Sequence, residues 1–257
     1  MNRSDAFRTA IIRTPGPDCG KGLTTAGLGP PDYPLLLAQH REYARILAEA
    51  GLEIVRLPPV PGFPDAYFVE DPAVVTPEVA VIARPGAASR RGEEESLASE
   101  LARFKPLARI EAPGTLEGGD VLEGGGHWFI GISERTNEEG ARQLGRILDA
   151  QGYSWTPVSV PAGLHLKSSV NDLGDGWLIL TPALESNAAF GGFRRIVLEA
   201  EESYAANILR VNGRIILAAG FPAVRRQLGL LGLPLLELDV SEVRKMDGGL
   251  TCLSLRF

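Results

Sequence analysis

Two cysteines occur in 257 residues, and one of them, Cys252, stands close to the end in "KMDGGLTCLSLRF", after an acid and two glycines. A cysteine so placed either packs as a small hydrophobe in a terminal strand or acts as a nucleophile held on a rigid edge. Three other stretches share its small and acidic character. They are "FPDAYFVEDPAVV" with Asp65, Glu70 and Asp71, "TLEGGDVL" with Glu117 and Asp120, and "GLHLKSSV" with His165. Asp247 lies in the cysteine's own stretch. Taken one at a time, the acids read as ordinary polar loops and His165 as a packed, hydrogen-bonded residue. His40, among charges in "AQHREYAR", reads as a solvated helix residue, and His127 after "EGGG" as structural or exposed.

Chemistry would need these stretches to meet, so the elements that carry them matter. Residues 205–240 read as strand, hairpin turn at "NG", strand, helix from "PAVRRQLGLLG", strand. The same order appears in 120–160, with "EGGG" as the turn and Asn137 as a helix cap, and in 72–112, with "TPE" as the turn. Residues 168–200 repeat it with a "GDG" turn and a poor helix. The N-terminal unit has "FRTAIIRTP", the amphipathic "YPLLLAQHREYARILAEAG" and "LEIVRLP", and lacks one strand, which "LTCLSLRF" could supply. Five units of roughly fifty residues, the last strand closing the first, imply a ring of pseudo-fivefold symmetry. The polar stretches fall at or just before each unit's first strand. On a ring they face one central pocket.

Composition fits such a domain. Hydrophobic residues make up 44% and charged residues 23%, enough for a sizeable core. A net charge of −6 argues against an extended nucleic-acid surface and suits a small cationic ligand. Two cysteines give no disulfide framework, so a reducing compartment is expected. No signal peptide or membrane span is read, which makes the expected location cytoplasmic and leaves no membrane partner.

"FVED", "LEGGDVL", "LHLKSSV", "SERTN", "RPGAASRRGE" and "DGGLTCLSLRF" together resemble the motifs of the dimethylarginine dimethylaminohydrolase family, guanidine-modifying members of the pentein superfamily. They occur in the family's order, from about Leu23 to the last residue. The resemblance implies an α/β fold, a five-bladed α/β propeller of ββαβ units around a central channel, built from residues 1–257 as a single domain. It implies Cys252 as nucleophile, His165 as general acid and base, and Glu117 as the carboxylate that orients the imidazole. Asp65 and Asp71 would hold a guanidinium, whose planar fork of donors matches carboxylates, and Glu70 would contact substrate. Arg90 and Arg135 would bind the substrate's α-carboxylate, with Arg91 a competitor for the first role. Leu23 lies in the Gly/Pro-rich segment 14–32, a candidate lid that also carries Cys19 as a bystander, and Met246 and Asp247 would meet substrate through backbone. No metal or other cofactor is expected. The outer faces of such a ring could pair as a homodimer. Pro72 after "FVED" and "KSSV" after His165 depart from the family's pattern and bear on which N-substituents fit.

The implied reaction is hydrolysis of Nω-methylated arginines to citrulline through a covalent thiouronium. A guanidinium carbon is a poor electrophile, and a soft thiolate held against it is a sensible attacker. The near rival is a deiminase acting on unmethylated arginine. A rival of another class is a noncatalytic pentein binding module, which would lack a matched Cys, His and carboxylate set.

Overall fold

The computed structural model describes residues 7–161 and 164–257. The first unit runs β1 (Thr9–Arg13), α1 (Tyr33–Glu49) and β2 (Glu53–Leu57). The second runs β3 (Ala73–Val75), β4 (Ala80–Ile82), α2 (Glu94–Leu101) and β5 (Leu107–Arg109). The third runs β6 (Val121–Gly124), β7 (His127–Ile132), α3 (Glu138–Ala150) and β8 (Ser154–Ser159). In the fourth, β9 (Val170–Gly174) and β10 (Trp177–Leu180) are followed by 3-10 turns at Pro182–Leu184 and Ala188–Phe190 and then β11 (Arg194–Val197). The fifth runs β12 (Leu209–Val211), β13 (Arg214–Ala218), α4 (Pro222–Gly229) and β14 (Leu235–Leu238), before the short α5 (Ser241–Arg244) and the closing β15 (Leu255–Arg256).

All five sheets share one wiring. An inner strand (β15, β3, β6, β9 or β12) pairs antiparallel with a middle strand, which pairs parallel with a third. The middle strands read as continuous apolar runs because both faces are covered; Ile11, Val81, Ile130, Ile179 and Ile216 are fully buried. The third strands carry exposed positions along the rim. The inner strands surround a central cavity of about 550 Å³, reached by Val74, Leu122, Asn171, Leu209 and Leu255. These are the pentein ring's five blades.

Local chemistry sets the turns. Asn212 and Gly213 both have positive φ, 46° and 77°, as a two-residue hairpin of this twist requires, and Asp175 and Gly176 repeat the device. Asn137 caps α3 by accepting from the Gly140 N–H at 2.8 Å, and Asp32 caps α1 from Leu35. His40 differs from its sequence reading. It is buried on α1's core-facing stripe with Leu36, Tyr43, Ala44 and Leu47, and burial, with Arg56 nearby, lowers its pKa to about 4. Among the described residues no helix is long and apolar enough to cross a membrane.

The C-terminus closes the ring, but with less strand than "LTCLSLRF" suggests. Leu255 and Arg256 pair with Ile11 and Ala10, whereas Thr251–Leu253 wind into a 3-10 turn. Tertiary bonds hold that turn. Thr251 N–H donates to Asn207 Oδ1 at 3.0 Å, and the buried Tyr43 hydroxyl lies 2.8 Å from the Leu250 carbonyl and 2.6 Å from Ser254 Oγ. Tyr43→Phe removes the buried hydroxyl's bonds to the Leu250 carbonyl and Ser254 Oγ, so a loss of about 1–2 kcal/mol is expected in urea unfolding.

Candidate active site

The four polar stretches come together because each ends just before an inner strand. Asp71 precedes β3, Glu117 and Asp120 precede β6, His165 precedes β9, and Cys252 precedes β15. His165 Nε2 lies 2.8 Å from Glu117 Oε2 and 4.0 Å from Asp71 Oδ1. Asp71 Oδ1 accepts the Gly119 N–H at 3.1 Å, and its Oδ2 accepts Arg90 Nη1 at 2.6 Å. Arg90 also donates through Nε and Nη2 to Glu93 Oε1, at 3.0 and 2.6 Å, and through Nη2 to the carbonyls of Asp65 and Phe68. Arg135 approaches Glu117 at 3.6 Å and keeps its side chain 15% exposed, against 5% for Arg90.

Electrostatics set the protonation states. Burial would lower the His165 pKa, but Asp71 and Glu117 raise it to about 9. Burial pushes Asp71 up, yet His165 and Arg90 hold it below its ordinary value. Glu117 likewise ends low, its burial offset by the hydrogen bond from His165. Burial, then Glu70 and Asp71, push the Cys252 thiol up to about 12. These shifts favour an imidazolium and a neutral thiol at pH 7. A cation entering beside Glu70 and Asp71 would remove part of what keeps the thiol protonated. The arrangement can bind a planar cation on carboxylates, present a thiol to it and offer it a proton.

The other sequence candidates are near, with specific partners. Asp65 accepts the Leu23 N–H on both carboxylate oxygens, at 3.1 Å each, and burial raises its pKa. Glu70 has its own partners, distinct from those of Asp71. It accepts Lys167 Nζ at 2.6 Å and Thr251 Oγ1 at 2.7 Å, and its N–H donates to the Cys252 carbonyl. Asp247, at φ 58°, accepts the Thr25 N–H and, at 3.0 Å, the Thr25 hydroxyl, while Thr24 donates to the Lys245 carbonyl. Met246 is a core residue. Asp120 takes Ser133 and Thr136 hydroxyls and the Leu166 N–H, fixing the turn after His165. Arg91 donates to the Pro85 carbonyl, outside the cluster, and Cys19 is packed in the core. Sequence reasoning passed over Glu93, Lys167 and Asn207. Asn207 precedes β12, the fifth inner strand, so the repeat itself marked its position; its amide ties the Lys167 carbonyl to Thr251 Oγ1.

The glycines of "LEGGD" and "DGGLTC" are there for close approach, with ordinary φ. A Cβ on Gly119 would lie 2.7 Å from the His165 ring and 2.8 Å from Asp71 Oδ1. One on Gly118 would meet the Glu70 carbonyl at 2.1 Å, and one on Gly249 would meet Asn207 Oδ1 at 2.4 Å. Asp71, Glu117 and His165 offer three ligand atoms within 4.8 Å of one another, a spacing a metal ion could use. That space already receives a cation, the Arg90 guanidinium, 2.6 Å from Asp71 and 4.0 Å from Glu117. The central cavity meets this site along Glu70, Lys167 and Thr251; Cys252, His165, Asp71 and Glu117 are not among its lining.

Gly119→Ala is expected to lower kcat by about 10²-fold through displacement of His165 and Asp71, with a folded circular-dichroism spectrum. The raised pKa of His165 adds stability that is complete below 6.5 and is lost as pH rises through about 9. Urea midpoints should fall across that range, and Glu117→Gln should lower the His165 midpoint followed by NMR.

No protein-family model matches the chain. It is 46% identical over 253 residues to the N(G),N(G)-dimethylarginine dimethylaminohydrolase of Pseudomonas aeruginosa, covering 98% of this chain and 100% of that one. It is 36% identical over 251 residues to the Streptomyces coelicolor protein of the same name, covering 97% and 96%. The structure superposes with a TM-score of 0.96 on the P. aeruginosa enzyme, solved as a cysteine-to-serine mutant complexed with citrulline, at 45% identity over 98% of this chain and all of that one. A cyanobacterial arginine dihydrolase domain shares the fold at a TM-score of 0.89, with 21% identity over 98% of this chain and 97% of that domain. The chain belongs to the dimethylarginine dimethylaminohydrolase family, pentein-fold hydrolases of C–N bonds in linear amidines.

Proposed function

We infer that this chain hydrolyses Nω-methylated L-arginine to L-citrulline and methylamine or dimethylamine. The observation that carries the reading is a nest of carboxylates already holding one guanidinium, that of Arg90, beside His165 and Cys252. What binds Arg90 binds the head group of an arginine derivative by the same geometry.

In the proposed sequence Asp71 grips the incoming guanidinium from one side, with Asp65 and Glu70 adding negative charge around it. The cation lowers the cost of ionising Cys252, whose thiol the same acids otherwise hold neutral. The thiol's proton leaves to solvent and the thiolate adds to the guanidinium carbon. His165, protonated and oriented by Glu117, gives its proton to the departing amine, and a covalent thiouronium remains. His165, now neutral, takes a proton from water as the hydroxide adds to the same carbon. Collapse breaks the C–S bond as the carbonyl forms, the hydroxyl's proton passing to the departing thiolate, and releases citrulline and the Cys252 thiol. Arg135, with the more accessible guanidinium, takes the α-carboxylate; Arg90, expected to share that role, spends its donors on Asp71, Glu93 and the Asp65 and Phe68 carbonyls.

Segment 14–32 serves as the lid of a single-domain enzyme. Its support is a set of contacts at the mouth: Leu23 on Asp65, and Thr24 and Thr25 on the Lys245 carbonyl and Asp247. Met246 and Asp247 would meet the substrate through backbone. The net charge of −6 favours a small cation over nucleic acid, and two free thiols favour a reducing compartment such as the cytoplasm.

Citrulline release from asymmetric dimethylarginine, with arginine in parallel, tests the reading. Wild type is expected to turn over the methylated substrate and Cys252→Ser to fall to background. Turnover of arginine alone would move the chain to a deiminase, since one methyl group is worth only ~1–3 kcal/mol of discrimination. Turnover of neither by a folded protein would refute the reading.

A further inference from the structure

Glu93 is a buried acid that no step above uses. It is 1% exposed and closes the "RPGAASRRGE" motif just before α2. Its Oε1 takes two of Arg90's donors, Nε and Nη2, which leaves Nη1 as the end that reaches Asp71. Its Oε2 is buried and makes no hydrogen bond among the described residues. We propose that Glu93 is the resident counter-ion of Arg90, and that this pairing reserves the charge of Asp71 for a cationic substrate. The proposal rests on the methylarginine reading and concerns the selectivity of that same site for charge.

The argument is electrostatic. A carboxylate has about four lone-pair sites, and Asp71 spends one on Arg90 and one on the Gly119 N–H. It has room for a second guanidinium. Two guanidinium ions on one buried carboxylate repel each other, and an unneutralised Arg90 would cancel the attraction Asp71 offers. Glu93 removes that cancellation. Arg90 then acts as a neutralised spacer that fixes the carboxylate of Asp71 rather than competing for it. Glu93 itself touches no substrate atom, so it is a positioning residue.

The surroundings agree. Burial pushes the Glu93 carboxyl up to about 7, opposed by Arg90, with Asp71 and Asp65 adding to the rise. From β1, Arg13 faces the same buried space; burial lowers its pKa and Glu93 opposes that shift. His165 holds its proton up to about 9, and Asp71 and Glu117 titrate low.

Binding to Cys252→Ser, which removes turnover, measures the effect. Dissociation constants for asymmetric dimethylarginine and for neutral L-citrulline would be determined by calorimetry at about pH 8, where Glu93 is ionised. Adding Glu93→Gln is expected to weaken the cation by about tenfold and citrulline by less than about twofold, because the lost charge acts on charge. Glu93→Asp, which keeps the charge, should restore most of the difference. Equal weakening of both ligands, or of neither, would overturn the proposal. If Glu93→Gln does not fold, the Cys252→Ser protein carries the test: between about pH 8 and about pH 6 its affinity for the cation should fall relative to citrulline. A ratio that does not change with pH would overturn it. Turnover by wild type reports separately on the reaction: a charge-selective ratio set by Glu93 in a protein that releases no citrulline would keep the counter-ion and refute the hydrolase.

Discussion

Three carboxylates, Asp71, Glu93 and Glu117, share one buried space with Arg90 and His165 between them; the two cations hold Asp71 and Glu117 low, while burial lifts Glu93 to about 7. An isolated buried carboxylate costs several kcal/mol, so removing any one cation would leave the others uncompensated. That balance governs everything chemical in the molecule. It keeps the imidazole of His165 protonated, and burial, reinforced by Glu70 and Asp71, pushes the Cys252 thiol up to about 12, a shift that a positive ligand beside those acids would oppose. Substrate charge and nucleophile ionisation are thereby linked.

The ring is what lets such a cluster exist. Each blade contributes one short approach to its inner strand, and five approaches converge on the axis. The charged groups come from chain segments far apart in sequence: His165 and Glu117 are 48 residues apart, and Thr251 and Glu70 are 181 apart. Rigid sheets with fully buried middle strands fix these approaches. Glycines at 118, 119 and 249 let backbone and side chains come closer than any Cβ would allow. Asn207, with no ionisable group, plays the fifth blade's part by tying the turns on either side of it.

The contacts of segment 14–32 show the same acids used twice. Asp65 and Asp247, expected to meet substrate, also hold the backbone of Leu23 and Thr25 across the mouth. A ligand's arrival and the state of the 14–32 segment would then draw on one set of hydrogen-bond acceptors.

Much of the fold was legible in the sequence because it is written in local chemistry. The "NG" and "DG" turns, the cap at Asn137 and the alternation of apolar runs gave the ββαβ unit, and its recurrence gave the ring and the missing strand. The motif stretches marked Cys252, His165, Glu117 and Asp71 because small and acidic residues break an apolar pattern. What sequence could not give was partnership. That Arg90 turns inward to Asp71, that Glu93 pairs with it, that Glu70 looks toward Lys167 and that His40 is buried depend on which groups compete for one desolvated space. A residue's type fixes the charge it brings; only the closed ring decides which opposite charge lies within three ångströms of it, because burial makes that pairing obligatory.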